Sequence, residues 1–242
     1  GEAARARVLA ALDGDEPRWL GPADVDGLLR AYGLVTVPHT ACASVDEAIA
    51  AAESYGGPVV LKAVSAPPAH ASDVDAVLLG LEGETALRAG WEALRDRVAR
   101  AGRDWFGATV QPLAEAGVDV LVGAIHHRDL GVVAGVGAGG RQAGLAGDVA
   151  FRLAPSTDVD ADELLTGAPV VSAWLDGARG LPPLDRDALA GAVLRLTRLF
   201  EDVPELVEGD LNPVRVHRDG AVVLDARLRA GRRTATERIR TW

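Results

Sequence analysis

Gly57-Pro-Val-Val-Leu-Lys62-Ala-Val64 is the stretch on which the reading of this chain turns. Branched apolar residues flank one lysine, and the run has the pattern of a buried strand. An ammonium inside such a run is costly unless it reaches water or meets an anion. Composition sharpens the point. The chain has 25 basic residues, and Lys62 is the single lysine among arginines. A bias toward GC-rich codons accounts for the arginines and leaves the lysine unexplained. Lysine is a compact cation that arginine does not replace at every phosphate site. Lys62 is therefore the first candidate for holding a phosphate, against the plainer reading of a solvated lysine at a strand end.

Outward from this strand, the pattern is mixed. On the N-terminal side, Ser44 and Glu47 make a capping box that opens a helix through about Tyr55. An earlier helix starts near Pro22, carries Val25, Leu28 and Leu29, and ends at Gly33. Residues 1–20 read as a short helix and a polar connector, a linker from another domain. On the C-terminal side, a strand over 76–81 precedes an amphipathic helix over 84–101 with Leu87, Trp91, Leu94 and Val98 on one face. Strands are expected at 108–113, 118–126, 131–136 and 149–153, and helices at 160–165 and 185–200. The end reads as a hairpin: 211–217, a turn at Asp219-Gly220, then 221–228. The expected architecture is an α/β protein of two lobes, 21–107 and 108–230, with a tail at 231–242. Beginning at Gly1 and lacking methionine, the chain reads as a piece of a longer protein.

Bulk properties exclude several classes. A net charge of −10 argues against a nucleic-acid partner, which wants a basic face. One cysteine, Cys42, permits no internal disulfide and suggests a reducing, cytoplasmic setting. The apolar runs fall well short of the roughly 20 residues a membrane helix needs, so no membrane partner is expected. No zinc spacing and no Gly-x-Ser-x-Gly nucleophile elbow is present.

Three further features could carry chemistry. The polar loop Pro68-Ala-His70-Ala-Ser72-Asp73-Val74 follows the lysine strand and could sit over whatever Lys62 binds. Asn212 and Asp225 flank the hairpin turn almost symmetrically, so strand pairing can bring them together. A carboxylate and an amide oxygen suit Mg²⁺, although Asp and Asn near turns are common for turn-chemistry reasons. Glycines 135, 137, 139 and 140 hint at a phosphate cradle, but the spacing fits no nucleotide fingerprint, and a flexible loop is the simpler reading.

Taken in order, these pieces resemble the ATP-grasp domain of NDP-forming acyl-CoA synthetases, relatives of the succinyl-CoA synthetase β subunit. The motifs are Tyr32-Gly33-Leu34, Gly57 to Lys62, His70-x-Ser72-Asp73-Val74, Val110-Gln111-Pro112, Gly117 to Gly123, Asp148 to Pro155, Asp210-Leu-Asn212-Pro213 and Leu224-Asp225-Ala226-Arg227. The resemblance implies a two-lobed ATP-grasp fold that binds ATP or ADP with Mg²⁺. It implies that Lys62 holds the phosphates, with Ser72 and Asp73 in the nucleotide-contacting loop. Gln111 to Leu113 would lie beside the adenine, partly through backbone groups. Asp119 stands where the family usually has Glu, on the ribose or adenine side. Asn212 and Asp225 match the metal ligands, and His70 matches a phosphoryl-carrying histidine. The CoA-binding domain is absent from this chain and becomes an expected partner.

The chain also departs from the family. Around the histidine the family usually reads His-Lys-Ser-Asp-Val-Gly-Gly-Val, whereas this chain reads His70-Ala-Ser-Asp-Val-Asp75-Ala-Val77. A cation and two glycines are lost and a carboxylate is gained, which repels phosphates and restricts backbone approach. Gly144 aligns where the family commonly has Glu. Two readings follow: a domain of an active acid–CoA ligase, or an inactive regulatory module like the synthetase-like regions fused to bacterial protein acetyltransferases.

Overall fold

The computed structural model describes residues 1–231 except 13, 15, 66–75, 141–147, 156 and 179–181. The chain divides into two compact units, Val37–Glu115 and the remainder. The larger unit opens with α1 (Glu2–Ala11), β1 (Arg18–Trp19) and α2 (Pro22–Ala31). The smaller unit follows as β2 (Thr40–Cys42), α3 (Val45–Tyr55), β3 (Val59–Ser65), β4 (Val77–Leu81), α4 (Gly83–Arg100) and β5 (Trp105–Pro112). The larger unit resumes with β6 (Val118–His127), β7 (Gly131–Ala138), β8 (Val149–Leu153), α5 (Asp158–Thr166), α6 (Pro169–Leu175) and α7 (Arg186–Asp202). It closes with β9 (Leu206–His217), β10 (Gly220–Val223) and β11 (Ala226–Ala230).

In the smaller unit, four strands run in the order β2-β5-β3-β4, all pairs antiparallel. Helix α3 starts where Ser44 Oγ accepts from Glu47 N–H at 3.3 Å, while Glu47 reaches back to Ala43 N–H at 2.8 Å. It stops at Gly56, whose φ of 71° a side chain would resist. Helix α4 turns Leu87, Trp91, Leu94 and Val98 inward, the face expected from its period. These residues pack with Val59, Leu61, Ala108 and Val110 into one core. Trp91 and Trp105 meet edge-to-face at 5.2 Å.

In the larger unit, the sheet order is β1-β11-β9-β6-β7-β8, with β10 also on β9. The helices bury one face of this sheet. Phe200 of α7 packs so closely on β9 that a Cβ at Gly209 would come 2.7 Å from its ring. Among the described residues, no helix is long and apolar enough to cross a membrane.

The structure moves several sequence-based boundaries. Residues 105–112 form one strand that pairs with β2 and β3, so the second lobe does not begin at 108. The unit division falls after Glu115 instead. Helix α1, within the segment expected as a linker, is packed against the larger unit. Ala4 and Val8 of α1 sit in the large core, and Arg5 makes a two-nitrogen contact with the buried Glu205, Nη2 to Oε1 at 2.6 Å. The expected return strand over 221–228 breaks at Leu224-Asp225 into β10 and β11. Strand β7 runs past the expected end at 136, so Gly137 as well as Gly135 lies inside it. A Cβ at Gly137 would come 2.6 Å from the Asp148 carbonyl oxygen, so close strand approach demands the glycine there. Strands β1 and β2 and helix α6 went unread because two, three and seven residues carry too little period.

Candidate functional site

The smaller unit presents Lys62. Val59 and Leu61 turn toward the helices and are fully buried. Strand alternation therefore puts Val60, Lys62 and Val64 on the opposite, helix-free face. The register pairs Val60 with Gln111 and Lys62 with Thr109 on β5, and Lys62 with Val77 on β4. Lys62 and Gln111 are thus diagonal neighbours on one face. The expected buried strand is buried on both faces from Val59 to Leu61 and opens at Lys62, which is partly exposed. Gln111 is 4% exposed, a deeply placed amide. Leu113 gives its N–H to Pro58 O at 3.0 Å, so its carbonyl is the backbone group it can offer a ligand. The expected loop residues His70, Ser72 and Asp73 lie outside the described residues, as does Gly144. Cys42 is no nucleophile candidate: burial, then the Glu47 carboxylate, pushes its thiol up.

The larger unit presents a second set, also on the face its helices leave. Val120 and Val122 of β6 and Leu211, Val214 and Val216 of β9 point into the core. Asp119 and Arg215, paired in register, point the other way. Arg215 Nε donates to Asp119 Oδ1 at 2.5 Å and Nη2 to Oδ2 at 3.2 Å. Gly140 closes over this pair. Its φ is +59°, and a Cβ there would come 2.9 Å from Asp119 Oδ2. Its N–H donates to Asn212 Oδ1 at 2.8 Å.

Asn212 and Asp225 come together as the hairpin argument expected. Asn212 N–H donates to the Asp225 carbonyl at 3.0 Å, and Leu224 N–H to the Pro213 carbonyl at 2.9 Å. The Asn212–Pro213 peptide is cis. Asp225 Oδ1 accepts from Ala226 N–H at 2.9 Å, which holds the carboxylate against the start of β11. Both donors are oxygens. The Asn212 oxygen has one lone pair committed to Gly140 and a second to spare. This set fits Mg²⁺, which commonly takes one or two protein oxygens and keeps its waters and phosphates. It does not fit an all-protein metal cage: among the described residues no cluster of three His, Cys, Asp or Glu could hold a metal.

Sequence reading missed Gly140 and Arg215. Arg215 becomes visible only through the register that sets it opposite Asp119. Gly140 belonged to a glycine cluster whose members do different work, two opening a strand to its neighbour and one capping Asn212.

Two helix-backed antiparallel sheets, one with a lysine strand and one with an Asn–Asp hairpin, define the class. A family model described as an ATP-grasp domain matches residues 11–230, and the chain belongs to that family. Its relatives place it further. It is 34% identical over 206 residues to the acetate–CoA ligase [ADP-forming] II subunit beta of Pyrococcus furiosus, covering 83% of this chain and 87% of that one. It is 37% identical over 205 residues to acetate–CoA ligase [ADP-forming] I of Archaeoglobus fulgidus, covering 84% of this chain but 30% of that one. Among solved structures, the dinucleotide forming acetyl-coenzyme A synthetase 1 of Ca. Korarchaeum cryptofilum, in complex with coenzyme A, Ca-AMPCP and HgCl+, superposes with a TM-score of 0.82. The identity is 30%, covering 95% of this chain and 100% of that one. Another structure of that enzyme, with coenzyme A and Mg-AMPPCP and its phosphohistidine segment pointing towards the nucleotide binding site, gives 0.72 at 29% identity, over 88% and 93% of the two chains. The chain is an ATP-grasp domain of the ADP-forming acyl-CoA synthetase type.

Proposed function

We propose that this domain binds ATP or ADP with Mg²⁺ and exchanges a phosphoryl group with a histidine, as one part of an acid–CoA ligase. The reaction in full is acid plus CoA plus ATP giving acyl-CoA, ADP and phosphate. The observation that carries the reading is the ladder that sets Lys62 beside Gln111 on the helix-free face of the smaller sheet. Lys62 neutralises phosphate oxygens. Gln111 and the Leu113 carbonyl recognise the adenine edge, and Ser72 and Asp73 complete the phosphate loop. Asp119 stands on the ribose side, held in place by Arg215. Asn212 and Asp225 are the residues that would hold Mg²⁺, which when bound offsets the phosphate charge. The Mg-AMPPCP held by the Korarchaeum enzyme supports this assignment. Phosphoryl transfer asks little covalent chemistry of a protein and much positioning. A His70 ring nitrogen, acting as nucleophile, would take the phosphoryl group from ATP and release ADP, or return it in reverse.

The CoA-binding part lies outside this chain on our reading, and the 30% coverage of the Archaeoglobus relative supports a larger assembly. The single cysteine supports a cytoplasmic setting. The altered loop around His70 favours a second reading, a regulatory module that binds nucleotide without turnover, as in an acetyltransferase fusion. The relatives named above favour the ligase. One experiment separates the readings. The complete protein, with its CoA-binding part, is incubated with γ-labelled ATP and Mg²⁺. Acid-labile, base-stable label on His70 is the expected result. Calorimetric MgADP binding without label would instead establish the regulatory module, and absence of nucleotide binding would sink both.

A further inference from the structure

Strand β11 carries two arginines on the helix-free face, since Leu228 and Ala230 between and beyond them point into the core. Each stands opposite a carboxylate on β9: Arg229 across from Glu208, Arg227 across from Asp210. The two are held differently. Arg229 reaches Glu208 at 3.8 Å. Arg227 lies over the Trp19 ring, with its guanidinium carbon 5.0 Å from the centroid. Its Nε is buried and has no hydrogen-bond partner among the described residues. A buried donor left without an acceptor is unfavourable and uncommon in a native protein. The ring fixes the plane of the guanidinium and partly strips its water, which prepares it for an oxyanion. Arg227 also sits two residues from Asp225 on the same segment, and β9 carries Asn212 two residues from Asp210. The unmet donor therefore belongs to the neighbourhood of the proposed metal ligands.

We infer that Arg227 is an anion-binding residue whose guanidinium, with an Nε–H that no acceptor among the described residues claims, closes on a phosphate oxygen of the nucleotide. This rests on the nucleotide-binding reading above and adds a contact to it. The Trp19 ring acts as a positioning surface for Arg227 and need not touch the ligand.

The test is calorimetry on the 242-residue chain with three ligands: adenosine, MgADP and a non-hydrolysable Mg–ATP analogue. Arg227→Gln should weaken at least one phosphate-bearing ligand about tenfold or more, the scale of a lost charge-assisted bond, and leave adenosine unchanged. Loss with both nucleotides puts the contact on the diphosphate; loss with the ATP analogue alone puts it on the terminal phosphoryl group. Arg227→Lys, which keeps the charge and drops Nε, should fall between, and it decides the matter if the glutamine variant does not fold. Wild-type affinity in the variants, or an equal loss for adenosine, overturns the inference while the nucleotide reading stands. A wild-type chain that binds no nucleotide overturns both.

Discussion

The two helix-free sheet faces hold their charge in different ways. On the smaller sheet, Lys62 follows Val60 on the same face of its own strand, with Thr109 and Val77 opposite it and Gln111 diagonal to it on the adjoining strands. On the larger sheet, charges come in cross-strand couples, Asp119 with Arg215 and Glu208 with Arg229, and a backbone N–H pins the Asn212 amide. On the proposed reading, the difference follows from what each face would do. A flexible ammonium can follow a phosphate oxygen, whereas metal ligands need fixed oxygens, and fixing them takes partners. On that reading the smaller face would supply charge and the larger face geometry.

The largest expected effects test whether the two units are separate at the level of their cores. Phe200→Ala empties a fully buried ring site in the larger unit and should cost about 3–5 kcal/mol. Leu61→Ala does the same in the smaller unit at about 2–5 kcal/mol. In a background with Trp19, Trp174 and Trp242 replaced by Phe, the Trp91–Trp105 pair is a fluorescence reporter placed in the smaller unit. In denaturant titrations, Phe200→Ala should leave a tryptophan signal that persists beyond the loss of larger-unit structure. A single shared transition for both variants would break the comparison, because the sheets would then be one cooperative body.

Next come the ligand effects. Lys62→Met retains the stem and removes the charge, so nucleotide affinity should fall about 10- to 100-fold with little change in melting temperature. A drop in both would mean Lys62 is structural. Asn212→Ala should weaken MgADP about tenfold and ADP in chelator hardly at all. If the loss is the same with and without Mg²⁺, the hairpin acts through shape and not through a metal.

Legibility followed the same division. Lys62 could be singled out as a candidate without any structure, because a lysine inside Val-Val-Leu-Lys-Ala-Val violates the local pattern and needs a reason. The pairing of Asn212 with Asp225 was legible for a related reason: a turn at Asp219-Gly220 fixes which residues face each other. Arg215 and Gly140 were not legible. Their roles depend on β6 lying between β7 and β9, a long-range pairing that no local period encodes. The misplaced boundary at 108 has the same origin. Strand β5 is the last strand of the smaller sheet and pairs with strands far back in the sequence, although its composition resembles the strands after it. Helix α1, with its faint amphipathic pattern, gave no sign that Ala4 and Val8 would enter a core.

The smallest effect concerns the part of the chain that was expected to be a connector and the helix beside it. Tyr32, at the end of α2, donates its hydroxyl to Asp202 Oδ2 at 3.0 Å, tying the N-terminal segment to α7. Burial first, then the hydrogen bond to Asp202 and its charge, push the phenol up from 10.0 to about 12, with Arg198 opposing. The folded state thus favours the protonated phenol more than the unfolded state does. The resulting stability is fully present below pH 10 and is lost as pH rises toward about 12. Tyr32→Phe should remove that slope and cost about 1 kcal/mol or less below pH 10, since the group is only half-buried. Urea titrations of the two proteins across this range should converge at the alkaline end. If they stay parallel, the Tyr32–Asp202 bond contributes through packing alone, and the tie between α2 and α7 rests on Leu28, Leu29 and their apolar neighbours.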